Sequence, residues 1–121
     1  MKQDVLSQKS VAFAVRIIKL KQYLVEEKKE FDMSKQILRS GTSIGANITE
    51  AGYAQSKPDF ITKMHIALKE TAETMYWLKV LELSEYLPKV LASSLLTDCE
   101  EIKKMLVSSL KTIKNSNGSP L

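Results

Sequence analysis

Residues Arg39 to Ser56 read RSGTSIGANITEAGYAQS, with three glycines, one asparagine and one glutamate. Gly, Ser, Thr and Asn are poor helix formers, so composition alone favours a loop. The order of the residues points the other way. Gly41, Ile44, Gly45, Ile48 and Gly52 recur at three- and four-residue spacing, the period of an α-helix. A helix written like this has a bare flank that a second helix can approach closely. Gly41 and Gly45 are therefore expected at a helix–helix interface.

The rest of the chain repeats the helical period, and no segment alternates with the period of a strand. Four helices are expected, over about 10–27, 33–54, 57–83 and 88–114. In the first, Val11, Ala14, Val15, Ile18 and Val25 form one apolar stripe, and Phe13, Ile17, Leu20 and Leu24 a second. Together they span an arc of about 220° at 3.6 residues per turn. A helix facing only its own core needs little more than about 100°. Lys21 falls within the arc and should meet a carboxylate or solvent. Asp32 or Ser34 is placed to cap the second helix. Ser56-Lys57-Pro58-Asp59 reads as a capping box with proline in the first turn. The third helix shows a main stripe of Phe60, Ile61, Met64, Leu68, Met75 and Leu78, and a mixed one of Ile66, Glu70, Glu73 and Trp77. In the fourth, Leu95, Cys99, Ile102, Leu106, Leu110 and Ile113 form the core stripe. Short connections between helices of similar length predict an all-α, antiparallel up-down-up-down four-helix bundle over 1–114, with 115–121 a disordered tail.

A chain of 121 residues fits one domain. One cysteine, Cys99, and one histidine, His65, exclude a disulfide framework and a Cys/His zinc site. No cofactor is expected. The N-terminal run MKQDVLSQKS has no apolar signal core and no long apolar stretch follows, so a cytoplasmic protein with no membrane association is expected. The net charge of +4 permits an acidic partner without demanding one.

Several residue groups invite a chemical reading. Arg39, Ser43, Asn47 and Glu50 form a polar stripe on the second helix, suited to a ligand site or to an interhelical hydrogen-bond network. The second reading is favoured, because buried polar groups must find partners and can set helix register. Glu70 and Glu73 lie one turn apart, but the Glu-x-x-His motif of bundle metal sites is absent. Between Ile66 and Trp77 they suit pairing with a cation of another helix, Lys21 or Arg39 among them. His65 is read as a hydrogen-bonded structural residue and Cys99 as a small apolar core residue. A catalytic reading would require Glu50, Glu70, Glu73 and His65 around one cavity. Lys89, Lys103, Lys104, Lys111 and Lys114 fall within about 100° of one another on the fourth helix. Lys9, Arg16 and Lys19 form a smaller basic stripe on the first. Both are either solvated faces or phosphate-binding surfaces. Little arginine and no interleaved aromatics argue against base readout.

The run LRSGTSIGANITEAGYAQSKPDFITKMHIALKETAETMYWLKVL resembles the bundle family named for intervening sequences in bacterial large-subunit rRNA genes, often labelled ribosomal-protein-like. The matching elements are Arg39-Ser40, Ser43-Ile44, Ala46-Asn47-Ile48, Glu50-Ala51, Ser56, Asp59-Phe60, Lys69-Glu70, Glu73-Thr74 and Tyr76-Trp77-Leu78. The resemblance implies a left-handed antiparallel bundle that assembles as a homopentamer, with no established catalytic activity. A related branch, the accessory proteins of diversity-generating retroelements, implies an affinity for nucleic acid; that branch is strongly basic, whereas this chain departs from it in being only mildly so. The ribosomal label reflects gene location rather than ribosome membership. Surplus apolar surface on the first and third helices independently predicts a homo-oligomer. The expected function is therefore non-enzymatic: an oligomeric bundle that binds RNA or DNA through lysine-rich helix faces. The alternative is a structural or adaptor protein that binds a protein partner and has no nucleic-acid role.

Overall fold

The polar run before Ser10 contains one residue, Leu6, that continues the spacing of Phe13, Ile17, Leu20 and Leu24. That residue is fully buried, and the first helix starts at Lys2 rather than near Ser10. The structure, a computed structural model, describes residues 2–116, with side chains from Val5 onward. Its elements are α1 (Lys2–Glu26), α2 (Met33–Ala51), α3 (Lys57–Leu83) and α4 (Lys89–Asn115). Consecutive helices pack together and α1 closes on α4, while among the described residues neither diagonal pair brings its backbones so close. The chain is thus a square four-helix bundle. Antiparallel order shows in the cross-contacts: Lys9 reaches Glu101 and Arg16 reaches Asp98, while Glu50 meets Lys63 and Arg39 meets Glu70.

The buried positions of every helix alternate in steps of three and four. In α3 they are Met64, Ala67, Thr71, Thr74, Leu78 and Leu81. In α2 the same rhythm runs through Ser34, Ile37, Gly41, Ile44, Ile48 and Ala51. This 3.5-residue period keeps a seam facing its neighbours in left-handed antiparallel bundles. It also corrects the expected core of α3. Phe60, Ile61, Leu68 and Met75 pack only partly buried at the edge of the core, and two threonines occupy its centre. A threonine can sit there because its hydroxyl bonds its own helix: Thr71 donates to the carbonyl of Ala67 at 2.8 Å.

Helix ends account for the remaining differences. Asp32 occupies the N-cap position of α2 but makes no side-chain capping bond. The cap is Glu30, whose buried carboxylate accepts from the backbone N–H groups of Asp32, Met33 and Ser34 at 3.1, 3.0 and 2.7 Å. One anion thereby satisfies three otherwise unpaired donors at the positive end of the helix dipole. α2 ends at Ala51 rather than 54, because Gly52 and Tyr53 tighten into i→i−3 bonds to Thr49 and Glu50 before the chain reverses. Ser56 caps α3 as expected, accepting from the N–H of Asp59 at 3.2 Å. α3 closes in a Schellman motif: Glu85 adopts φ 67°, and the N–H of Tyr86 donates to Leu81 O. α4 continues through Asn115 with Ser116 as its C-cap, so 115–116 belong to the helix end rather than to the expected tail; the rest of that tail, 117–121, lies outside the described residues.

Candidate nucleic-acid interface

The polar stripe of α2 divides into two kinds of bond. Arg39 crosses to α3, where its guanidinium donates to Glu70 at 3.2 Å and to Glu73. The indole N–H of Trp77 donates to the same Glu73 carboxylate at 3.1 Å. Arg39 and this indole hold the Glu73 carboxyl below its usual range, and Glu73 in turn raises the guanidinium pKa. In the last turn of α2, Glu50 accepts from Lys63 at 2.8 Å and raises the pKa of that ammonium. Ser43 and Asn47 do not join this interhelical network. Each bonds its own helix, Ser43 Oγ donating to Arg39 O and Asn47 Nδ2 donating to Ser43 O. The buried interhelical bond lies one position from the stripe, where Thr74 Oγ1 donates to Ser40 Oγ at 2.9 Å. Sequence reasoning passed over that pair, although the three-four spacing through Thr71 and Thr74 carries the signal.

On its other flank α2 meets α1 through bare backbone. A Cβ on Gly41 would lie 2.8 Å from Ile17 Cγ1, and one on Gly45 would lie 2.9 Å from Ser10 Oγ. Gly52, counted in the same repeat, is instead an exposed helix cap, where an added Cβ would lie 3.3 Å from the carbonyl oxygen of Thr49 in its own helix.

The catalytic reading finds no assembled site. Glu70 and Glu73 share Arg39, Glu50 pairs with Lys63, and His65 Nε2 lies 3.1 Å from Lys114 Nζ, so the four are not gathered together. Cys99 is buried, and desolvation, aided by the nearby charges of Asp98 and Glu100, pushes its thiol up to about 12. It remains a neutral thiol at physiological pH, whereas a nucleophile must be a thiolate. Among the described residues no three His, Cys, Asp or Glu side chains could share a metal ion.

The basic residues separate just as clearly. Arg16 ties α1 to α4, donating to the Asp98 carboxylate at 2.7 Å and to Ser94 Oγ at 3.0 Å, and Lys9 pairs with Glu101 at 3.0 Å. Of the α1 stripe, Lys19 alone stays outside these ion pairs. On α4, Lys103, Lys104, Lys111 and Lys114 are all exposed, Lys103 in a solvent-edge pair with Glu100 at 3.5 Å, and the first three lysines line one shallow groove with Val107, Ser108 and Thr112. Lys89 shares their face but lies about 21 Å from Lys103 along the axis. Residues 1–101 contain fourteen cations and fourteen anions, whereas 102–121 contain four lysines and no acid. The entire positive excess of the chain therefore lies on the C-terminal half of α4 and the residues after it.

The outer face of α1 differs in character. Val11, Val15 and Ile18 are 61%, 47% and 45% exposed, although their inner counterparts are buried. They continue in three-four steps to Gln22 and Val25, a second seam that none of the described helices fills.

An antiparallel four-helix bundle with a glycine-packed second helix, ion-paired carboxylates and a lysine-bearing fourth helix defines the structural class. The chain belongs to the 23S rRNA-intervening sequence protein family, whose profile matches residues 2–108. It is similar to a crystal structure of a protein of unknown function from the S23 ribosomal protein family of Bacteroides thetaiotaomicron. That structure aligns with a TM-score of 0.91 at 57% identity, covering 92% of this chain and 99% of that one. No curated protein matches.

Proposed function

We propose that this chain is a non-enzymatic, self-associating helical bundle that binds RNA or DNA through phosphate contacts made by α4. The observation that carries this reading is the location of the charge: the whole excess of +4 belongs to residues 102–121, and the four lysines there are exposed on one helix face. The open apolar seam of α1 supports self-association, and a ring of five, as the family resemblance implies, presents the lysine cluster five times. Paired carboxylates and a buried thiol of raised pKa support a role without catalysis. The proposed compartment is the cytoplasm; among the described residues no helix is long and apolar enough to cross a membrane. Binding of mixed-sequence DNA and RNA, titrated from about 50 to 200 mM salt, tests the reading. Four phosphate contacts on a duplex predict a loss of roughly a hundredfold across that range. No binding at low salt by the intact oligomer refutes it.

The exposed α1 stripe also favours a second reading, an adaptor that docks a helix of a protein partner. Ile18→Glu separates the two. A fall in oligomer mass with unchanged helicity assigns the stripe to self-association, and an unchanged mass leaves it for a different partner.

A further inference from the structure

The lysines of α4 are not spread evenly along their face. Lys103 and Lys104 form one group, and Lys111 and Lys114 the other. The six residues between, Met105 to Leu110, carry no charge. The group centres are nine residues apart, or about 13 Å along the axis at 1.5 Å per residue. All four lie within an arc of about 100°, with Val107 near its centre. Their spacing is held by a continuous helix and cannot follow a flexible strand.

Two fixed cationic groups at this distance match the two phosphate rims of a duplex groove, which in B-form DNA is about 12 Å wide at the major groove. The uncharged centre then lies over the groove itself, where no phosphate waits. Single-strand binders need a further component, aromatic side chains on which successive bases stack. α4 contains no Phe, Tyr or Trp. Tyr76, Trp77 and Tyr86 lie toward the far end of the bundle, and Phe60 packs against the core. Tyr53, in the α2–α3 connection, is a strongly exposed aromatic at the same end, 85% accessible.

We infer that the partner of this face is duplex nucleic acid, gripped by its two phosphate rims, rather than a single strand. The inference rests on the reading of α4 as a nucleic-acid face and narrows it to one form of the polymer.

Fluorescence anisotropy on the full chain compares a mixed-sequence DNA duplex of about twenty base pairs, the corresponding RNA duplex and the isolated strands. At equal salt, either duplex is expected to bind at least tenfold more tightly than its strand. Lys104→Gln with Lys111→Gln removes one lysine from each group. It is expected to reduce the slope of log affinity against log salt by about 2 per protomer. Both residues are exposed, and unchanged circular dichroism confirms the fold. Tyr53→Ala is expected to leave duplex affinity within about twofold, since no stacking is involved. Strand binding equal to or tighter than duplex binding, or a loss on Tyr53→Ala, overturns the inference while the functional reading stands. A slope unchanged by the double lysine variant overturns the assignment to α4. No binding to any form overturns the functional reading and the inference with it.

Discussion

Helix α2 meets its two neighbours by opposite means. Toward α1 it presents glycine backbone, and the neighbouring side chains of Ile17 and Ser10 fill the space where a Cβ would stand. Toward α3 it presents polar groups: the Arg39 clamp on Glu70 and Glu73, the Ser40–Thr74 hydroxyl pair and the Glu50–Lys63 bridge. Contact on the first flank is steric and tolerates no added atom. On the second it is a set of separable bonds, mostly at the solvent edge, each of modest weight. One short segment therefore builds one brittle seam and one graded seam, and substitutions should distinguish them.

The largest effect is expected at the glycine seam. Gly41→Val should cost about 2–3 kcal/mol by overpacking against Ile17, lowering Tm by roughly 10 °C. Gly52→Ala, from the same sequence repeat but at an exposed cap, should change stability by less than about 0.5 kcal/mol. Thermal melts that show similar shifts for the two would erase the contrast between the flanks.

An intermediate effect is expected at the buried bond of the polar seam. Thr74→Val keeps the volume but removes the hydroxyl that donates to Ser40 and should cost about 1–2 kcal/mol in urea unfolding. Adding Ser40→Ala should cost less than the sum of the two single changes, because both remove the same bond. Strict additivity would show that the pair is not coupled.

The smallest effect is expected at the exposed clamp. Arg39→Gln should cost about 0.5–1 kcal/mol, and less at high salt, because both partners reach solvent. Its pH dependence has a definite sign. Glu73 is depressed in the folded chain, so its contribution is complete above the ordinary glutamate value of about 4.3 and disappears as pH falls through the lower folded value. Stability measured down that acid range should fall more steeply for the parent than for Arg39→Gln. Parallel curves would show that the clamp does not set the Glu73 titration.

Much of this architecture is legible in the residues themselves. The period of three and four in 39–52 converts a loop-like composition into a helix, and the chain indeed folds as four helices. Pairing of Glu70 and Glu73 with Arg39 was among the expected matches. Three features were harder to read. Leu6 stands beside Val5 in an otherwise polar run, and only packing buries Leu6 while leaving Val5 45% exposed. Thr71 and Thr74 look like surface residues until their hydroxyls find helix carbonyls and Ser40. Glu30 appears as one charge in a turn, and only the chain reversal brings its carboxylate onto three N–H groups at the start of α2.

The candidate interface shows the same division. Arg16 and Lys19 share a sequence stripe, but tertiary packing gives Arg16 to Asp98 and leaves Lys19 outside the ion pairs formed among the described residues. On α4 the lysine arc follows directly from helical geometry; Lys103 pairs with Glu100 one turn before it, and no acid follows Glu101 in sequence.

Sequence alone determined the helical class, the family and the location of the charge excess, because period, small-residue order and acid–base placement are properties of the chain itself. Tertiary structure decided which stripe of α1 is buried and which stays open, and which cation answers which carboxylate. Those outcomes depend on which helices become neighbours, and a helix cannot specify its neighbour by its own periodicity.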